Sequence, residues 1–287
     1  MKIISFILVL VLSVMLLVSC YTTRKIIDGE ELVHLQEIDY VNSDPEFYGV
    51  QYIRTDGYNE NFEYPRLIKV TSSESLDFYY KNFDGIYYLG HRENVYSDST
   101  IGFADAIEKY SSDFFDSHDL YFAVLEEGSG SVRHNVAGVL DGTSVSIKSI
   151  SPEICTDDMA EWHIIIEVDK GCVIDKINGK SVSVYTPEEQ YEAFLGKLEK
   201  CAFDYLESEY NITDAELQII ERTDYATAMG EGCTNPLGYN PGYNESPAWK
   251  FNFITHDGLS FSLYLCDSPF VFGSVALVIE DEAKRCY

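Results

Sequence analysis

Between Leu120 and Asp169 the chain reads as a run of short strands broken by turns, and few architectures accept that pattern. Leu120 to Glu126 is a continuous apolar strand, closed by the turn Gly128-Ser129-Gly130. Val132 to Leu140 returns, and Asp141-Gly142 has the residue types of a tight hairpin. Ser144 to Ile150 follows, with Val145 and Ile147 in alternation and Ile150 less regularly placed, until Ser151-Pro152 stops it. Ala160 to Asp169 places Trp162, Ile164, Ile166 and Val168 on one face, and Cys172 to Ile177 offers a further strand. Strands joined by turns this short pair antiparallel, so the region predicts an antiparallel meander.

The flanking segments add helices. Tyr48 to Thr55 and Arg66 to Thr71 have strand composition. Thr71-Ser-Ser-Glu74 has the spacing of a capping box and opens a short helix carrying Leu76, Phe78, Tyr79 and Phe83. Phe103, Ala106, Ile107, Tyr110 and Phe114 fall at helical spacing in a second segment, to about Phe115. Thr186-Pro187-Glu188-Glu189 combines an N-cap, a first-turn proline and a reciprocal Glu. It starts a helix whose stripe, Tyr191, Phe194, Leu195, Leu198, Ala202, Tyr205 and Leu206, runs to about Tyr210. Leu217 to Arg222 is a strand, Gly230 to Pro247 a long loop, and Trp249 to Leu265 a hairpin turning at His256-Asp257-Gly258, with Ser274 to Glu280 as the last strand. The expected fold is α+β, an antiparallel β meander with short helices over residues 46–182, then a smaller domain of one long helix on an antiparallel sheet over 183–287.

Upstream, Met1-Lys2 precedes an apolar run from Ile3 to Val18 interrupted by Ser5 and Ser13. A run of roughly 16 residues is shorter than the about 20 a spanning helix needs, and after a basic start it reads as a signal h-region. Leu17-Val18-Ser19-Cys20 resembles the lipobox of bacterial lipoproteins. That resemblance implies cleavage before Cys20, with residues 1–19 removed, and acyl chains (palmitate among them) on Cys20. More than one chain is what stable anchoring of a globular body requires. Residues 20–45 then form a polar tether, the rest is extracytoplasmic, and the membrane is a partner through the lipid.

Charge narrows the partners further. The chain has 20 Lys+Arg against 48 Asp+Glu, a formal net charge of −28, which repels phosphate backbones and excludes nucleic acid as a partner. Of the 7 cysteines, Cys20 carries the lipid; Cys155, Cys172, Cys201, Cys233, Cys266 and Cys286 are an even set able to form disulfides outside the cytoplasm, or free thiols in an anaerobe.

No catalytic constellation stands out. The sequence has no GxSxG, no CxxC, no HExxH, no EF-hand loop and no nucleotide-binding glycine loop, so neither a metal nor a cofactor is expected. Ser129 between two glycines reads as a turn residue. Cys155 with His163 and Asp157 or Asp158 can be written as a nucleophile, base and orienting acid, but reads more simply as a half-cystine and a surface or satisfied histidine. Asp157-Asp158 or Asp113, Asp116 and Asp119 could hold calcium, although Asp-rich loops are usually solvated. Two features suit a binding surface. Arg133-His134 is a rare basic pair opposite Glu126-Glu127, either an internal ion-pair cluster or a contact point. Tyr239 and Tyr243 sit in the near-repeat Asn-Pro-Leu-Gly-Tyr and Asn-Pro-Gly-Tyr, where a proline-stiffened loop could display both rings.

The stretch Phe114 to Lys170 also resembles the conserved domain of PrcB-type accessory lipoproteins of bacterial protease complexes. The shared order is an apolar strand (Leu120–Glu126), a glycine turn (Gly128–Gly130), two strands (Val132–Ile150), Pro152 and a last apolar strand (Ile164–Val168). Where that family has Gly-Gly-Tyr, this chain has Gly130-Ser131-Val132. The resemblance implies a non-enzymatic partner of an envelope or secreted protein. The expected function is therefore a lipid-anchored cell-envelope module that binds a protein or ligand; the alternative is an extracytoplasmic hydrolase of wall or extracellular polymers.

Overall fold

The structure, a computed structural model, describes residues 47–55, 62–90, 101–156, 159–230, 247–268 and 271–278. Its organising element is a sheet of five strands, β1 (Phe47–Thr55), β2 (Arg66–Val70), β3 (His118–Glu127), β6 (Ala160–Asp169) and β9 (Ser183–Tyr185), in the order β1-β6-β3-β2-β9. All neighbours are antiparallel except β2 and β9. Both faces of this sheet are covered, which is why β3 is apolar almost throughout rather than alternating. One end is marked by the pairs His118↔Asp169 and Phe47↔Val168, the other by Glu127↔Ala160 and Thr55↔Glu161.

One face carries Leu67, Tyr121, Ala123, Trp162, Ile164, Ile166 and Val168. A second sheet packs there through Val136, Val139, Val145, Ile147 and Ile177. It consists of β4 (Arg133–Leu140), β5 (Ser144–Ile150), β7 (Lys176–Ile177) and β8 (Lys180–Ser181), in that order. The expected meander is corrected here. β3 and β6 pair with each other, and the β4–β5 hairpin between them leaves the central sheet to cover it. A strand that is apolar on both faces belongs in a sheet's interior, beside another of its kind. The hairpin turn is as expected, with Asp141 and Gly142 both at positive φ (52° and 69°) as a twist-matched two-residue turn demands.

The other face carries Ile53, Ile68, Val70, Leu120, Phe122, Val124 and Ile165 under the helices. Helix α1 (Ser73–Tyr87) is capped by Ser72, whose side chain accepts from the Ser75 amide, one residue later than the Thr71 cap expected from the sequence. The segment from Phe103 to Phe115 forms two short helices, α2 (Phe103–Ile107) and α3 (Ser112–Phe115), not one. Helix α4 (Pro187–Tyr210) has the reciprocal Thr186–Glu189 capping box and ends on Asn211 in the left-handed conformation. After β10 (Ala215–Asp224) comes α5 (Tyr225–Gly230), then β11 (Pro247–Thr255), β12 (Ser260–Ser268) and β13 (Val271–Val278). The last four strands form a simple antiparallel meander. The fold is α+β.

The boundary expected between residues 182 and 183 does not divide the described body. β9, just after it, hydrogen-bonds to β2 of the central sheet. Phe194 of α4 stacks on Phe62 at 5.2 Å and meets Trp249 of β11 edge-on at 5.0 Å. A single buried cluster thus runs from Ile53 through Tyr79 and Leu198 to Leu265, and the described residues make one compact unit. A surface stripe on α4 needs cover, and it finds that cover on both sides. Among the described residues no helix is long and apolar enough to cross a membrane.

Candidate functional site

The chemistry-bearing side chains gather at the end of the central sheet where β6 begins. Alternation along β6 sends Trp162 to the second sheet and Glu161 and His163 to the helices. Because that face is covered too, both are fully buried, as is Arg66 at the start of β2. Three ionisable groups with no exposed surface must satisfy one another, since each unpaired buried charge would cost several kcal/mol.

Hydroxyls satisfy most of them, while Arg66 Nε and Glu161 Oε1 have no hydrogen-bond partner. The Thr55 hydroxyl donates to the Glu161 carbonyl oxygen at 3.4 Å and lies 2.9 Å from His163 Nδ1. With that proton committed, Nδ1–H donates to Thr55, and Tyr79 Oη donates to Nε2 at 2.7 Å, which assigns a neutral ring with both nitrogens engaged. Arg66 Nη2 donates to Tyr87 Oη at 2.6 Å and Nη1 to the Glu63 carbonyl at 3.2 Å. Its guanidinium lies 4.5 Å from the centroid of Phe62, 4.8 Å from Tyr64 and 5.9 Å from Tyr87, an aromatic cage that accepts a poorly hydrated planar cation. Tyr64, half-buried, donates its hydroxyl to Glu161 Oε2, while Oε1 stands 3.7 Å from His163 Nδ1.

Burial sets the protonation states. It pushes the Glu161 carboxyl up to about 8, against the pull of Arg66 and the Tyr64 hydrogen bond, with Glu126 adding to the rise. Glu126 is the directly paired residue on β3, so its charge is close. Burial, helped by Arg66, holds His163 well below the usual histidine range. Burial likewise raises the Tyr79 and Tyr87 phenols. At neutral pH the cluster is therefore a caged cation, a neutral imidazole and a mostly protonated carboxyl.

Beside this cluster, at the same end of the sheet, two loops are stapled together. The Thr156 hydroxyl bridges Ser129 Oγ at 3.1 Å and Ser131 Oγ at 2.8 Å, and the Thr156 amide donates to Ser131 Oγ at 3.0 Å. Arg54 Nη1 and Arg133 Nη1 both donate to the Gly130 carbonyl, at 3.3 Å and 2.8 Å. Ile154 and Met159 project from the stapled region with 62% and 51% of their surface exposed. Serine and threonine at 129, 131 and 156 thus act as loop fasteners, with Ser129 itself buried.

The basic pair from the sequence divides in two. Arg133 is half-buried, with its guanidinium 5.6 Å from the Trp162 centroid, and burial and Arg54 lower its pKa. His134 is buried; its Nε2 lies 2.7 Å from Glu127 Oε1, which also accepts from Ser149. The His134 hydrogen bond is the chief reason the Glu127 carboxyl titrates below its ordinary range. Of the two, only Arg133 has surface to offer a partner. Tyr239 and Tyr243 lie outside the described residues, as do Cys20, Cys233, Cys286, Asp157, Asp158 and the Cys266 side chain.

Among the described residues Cys155 and Cys201 are exposed and joined to no other cysteine, and Cys172 is half-buried. Cys155 is exposed, with its thiol 3.7 Å from the Pro152 carbonyl. Neither His163 nitrogen is available to it as a base, because Thr55 and Tyr79 hold both. Asp119, one of the calcium candidates, is buried between Lys170 at 3.0 Å and Lys69 at 3.5 Å and accepts from the Gly171 amide. Among the described residues no group of three or more His, Cys, Asp or Glu side chains is placed to hold a metal ion.

Sequence reasoning missed Arg66, Glu161 and the four hydroxyls around them. The available signal was the continuous apolar character of β3, which implies cover on both faces of its neighbours as well. No family model, no curated protein and no solved structure matches the chain.

Proposed function

We propose that the protein is a lipid-anchored cell-envelope module that binds another envelope or secreted protein through the stapled loops at the Glu161 end of the central sheet. The observation that carries this reading is the fastening of residues 129–131 to Thr156 beneath two exposed apolar side chains, Ile154 and Met159. A loop pre-ordered by side-chain hydrogen bonds gives up little conformational entropy on binding. Methionine and arginine are enriched at protein interfaces relative to the rest of the surface. The lipobox at Leu17–Cys20 supplies the location.

The test is capture of partners from envelope extract after crosslinking, with the wild-type protein and with Ile154→Asp plus Met159→Asp. A stoichiometric protein partner lost in the double variant supports the reading. A partner retained at full yield contradicts the assignment of the surface, and Tyr239→Ala plus Tyr243→Ala then tests the other loop.

The hydrolase reading has one feature in its favour. Glu161 and Glu126 are paired residues on neighbouring strands, and burial raises the Glu161 carboxyl to about 8, as a general acid requires. Against it, Glu161 has no exposed surface through which to meet a polymer. Glu161→Gln measured in a wall-hydrolysis assay distinguishes the two, since a binding module has no turnover to lose.

A further inference from the structure

In a chain with 48 acidic side chains against 20 basic ones, an arginine that meets no carboxylate is out of character. Arg133, the first residue of β4, is one. Both of its hydrogen bonds come from Nη1, to the Gly130 carbonyl at 2.8 Å and the Val132 carbonyl at 3.0 Å, and among the described residues no carboxylate pairs with it. Nη1 has two hydrogens, so these bonds occupy it fully. Nη2 makes no hydrogen bond, and Nε is buried without a partner. The surroundings do not make up the deficit. Arg54 donates to the same Gly130 carbonyl at 3.3 Å, which sets a second guanidinium beside the first, and burial together with this like charge lowers the Arg133 pKa. Glu127 is taken by His134 Nε2 at 2.7 Å and by the Ser149 hydroxyl at 3.0 Å. Arg133 is nevertheless held in place. Its guanidinium lies 5.6 Å from the Trp162 centroid, and Gly130 belongs to the loop fastened to Thr156.

We infer that Arg133 is where the stapled loops take a carboxylate side chain of their partner, an Asp or Glu set beside an apolar residue. The inference rests on the proposed binding by these loops and names the chemistry of what they bind. Two like charges around one carbonyl, half-buried, cost free energy that an arriving anion offsets. The edge formed by Nε and Nη2 is one that a planar carboxylate meets with two parallel hydrogen bonds. Gly130 and Val132 already hold Nη1, so the side chain has little freedom left to lose. The apolar neighbour follows from Ile154 and Met159, which are 62% and 51% exposed in the same stapled region. A polyanion is a poor fit, because it meets the net charge of −28 along its whole length. A single carboxylate responds mainly to charges within a Debye length, about 8 Å at physiological salt.

The probe is a display library of random short peptides, selected on the immobilised full chain in detergent at physiological ionic strength. The protein's overall field favours basic peptides, so enrichment of acidic ones runs against the background. Binders at this surface are recognised by their loss in Ile154→Ser plus Met159→Ser, a change that adds no charge. These binders are expected to carry Asp or Glu beside an apolar residue. Replacing that acid by its amide in the synthetic peptide should weaken binding to the unaltered protein about tenfold or more, and Arg133→Gln should weaken the acidic peptide by a similar factor while sparing the amide form. The change in the peptide asks nothing of the folding of a variant. Surface binders that lack an acid, or whose acid is replaced at no cost, overturn the carboxylate assignment and leave the binding reading standing. Binders indifferent to Ile154→Ser plus Met159→Ser, or no binders at all, overturn the binding reading on which the inference stands.

Discussion

The residue that most affects how this protein responds to its surroundings is Glu161. Its carboxyl titrates near 8 in the folded state against 4.5 as the ordinary value, so the folded protein holds a proton that the unfolded chain releases. The stability this gives is complete below about pH 4.5 and is lost as pH rises through 8. His163 works in the opposite sense: its folded pKa is depressed, so its contribution is present above about 6.5 and falls away in acid. Below about 6.5 the two slopes oppose each other, so the loss of stability with rising pH is steepest above that point. Denaturant unfolding of Glu161→Gln at pH 5 to 9 should show the alkaline decline flattened, with the variant gaining about 4 kcal/mol on the wild type between those limits. An unchanged decline would place the titrating group elsewhere. Arg66→Ala leaves the cage of Phe62, Tyr64 and Tyr87 without its cation and should cost about 3–5 kcal/mol. Arg66→Lys should recover little, because an ammonium lacks the planar fork and is more strongly hydrated.

At the scale of elements, the contrast between α4 and β6 shows what was legible in the sequence. The start of α4 was readable because its stop and start signals are local: Thr186, Pro187 and Glu189 satisfy the first amides without help from the rest of the chain. Thr186→Ala should therefore cost about 1 kcal/mol, measured by thermal or denaturant unfolding. The extent of β6 was legible for the same reason, as a run of alternating apolar residues. Its partners were not. Whether Glu161 and His163 face water or a core depends on α1 lying over them, and α1 is set by contacts far along the chain. The β4–β5 hairpin makes the same point, since Asp141-Gly142 fixes the turn but nothing local says which sheet the hairpin joins. The paired loops were half visible. The glycine turn at 128–130 was readable, whereas its fastening to Thr156 joins residues 25 or more positions apart.

On the scale of the whole molecule, the cluster shared by α1, α4 and β11 predicts a single cooperative transition across residues that the sequence divides in two. Trp162 reports the core between the two sheets, and Trp249 the core beneath α4. Single-tryptophan variants made with Trp→Phe at the other site should unfold at coincident denaturant midpoints, and separated midpoints would restore two domains. Phe194→Ala, which removes the ring between Phe62 and Trp249, should lower both midpoints together at a cost of about 3–5 kcal/mol.

Binding of a protein partner at the end carrying Ile154 and Met159 is open to a quantitative test. The most direct measurement is the affinity of the purified partner for three forms of the protein: wild type, Ile154→Asp plus Met159→Asp, and Leu140→Asp plus Val173→Asp as a control at exposed apolar positions elsewhere. A loss of about 2–4 kcal/mol is expected in the first double variant, on the scale of interface anchors, with wild-type affinity in the control. Equal affinity in all three, or a loss confined to the control, would contradict it.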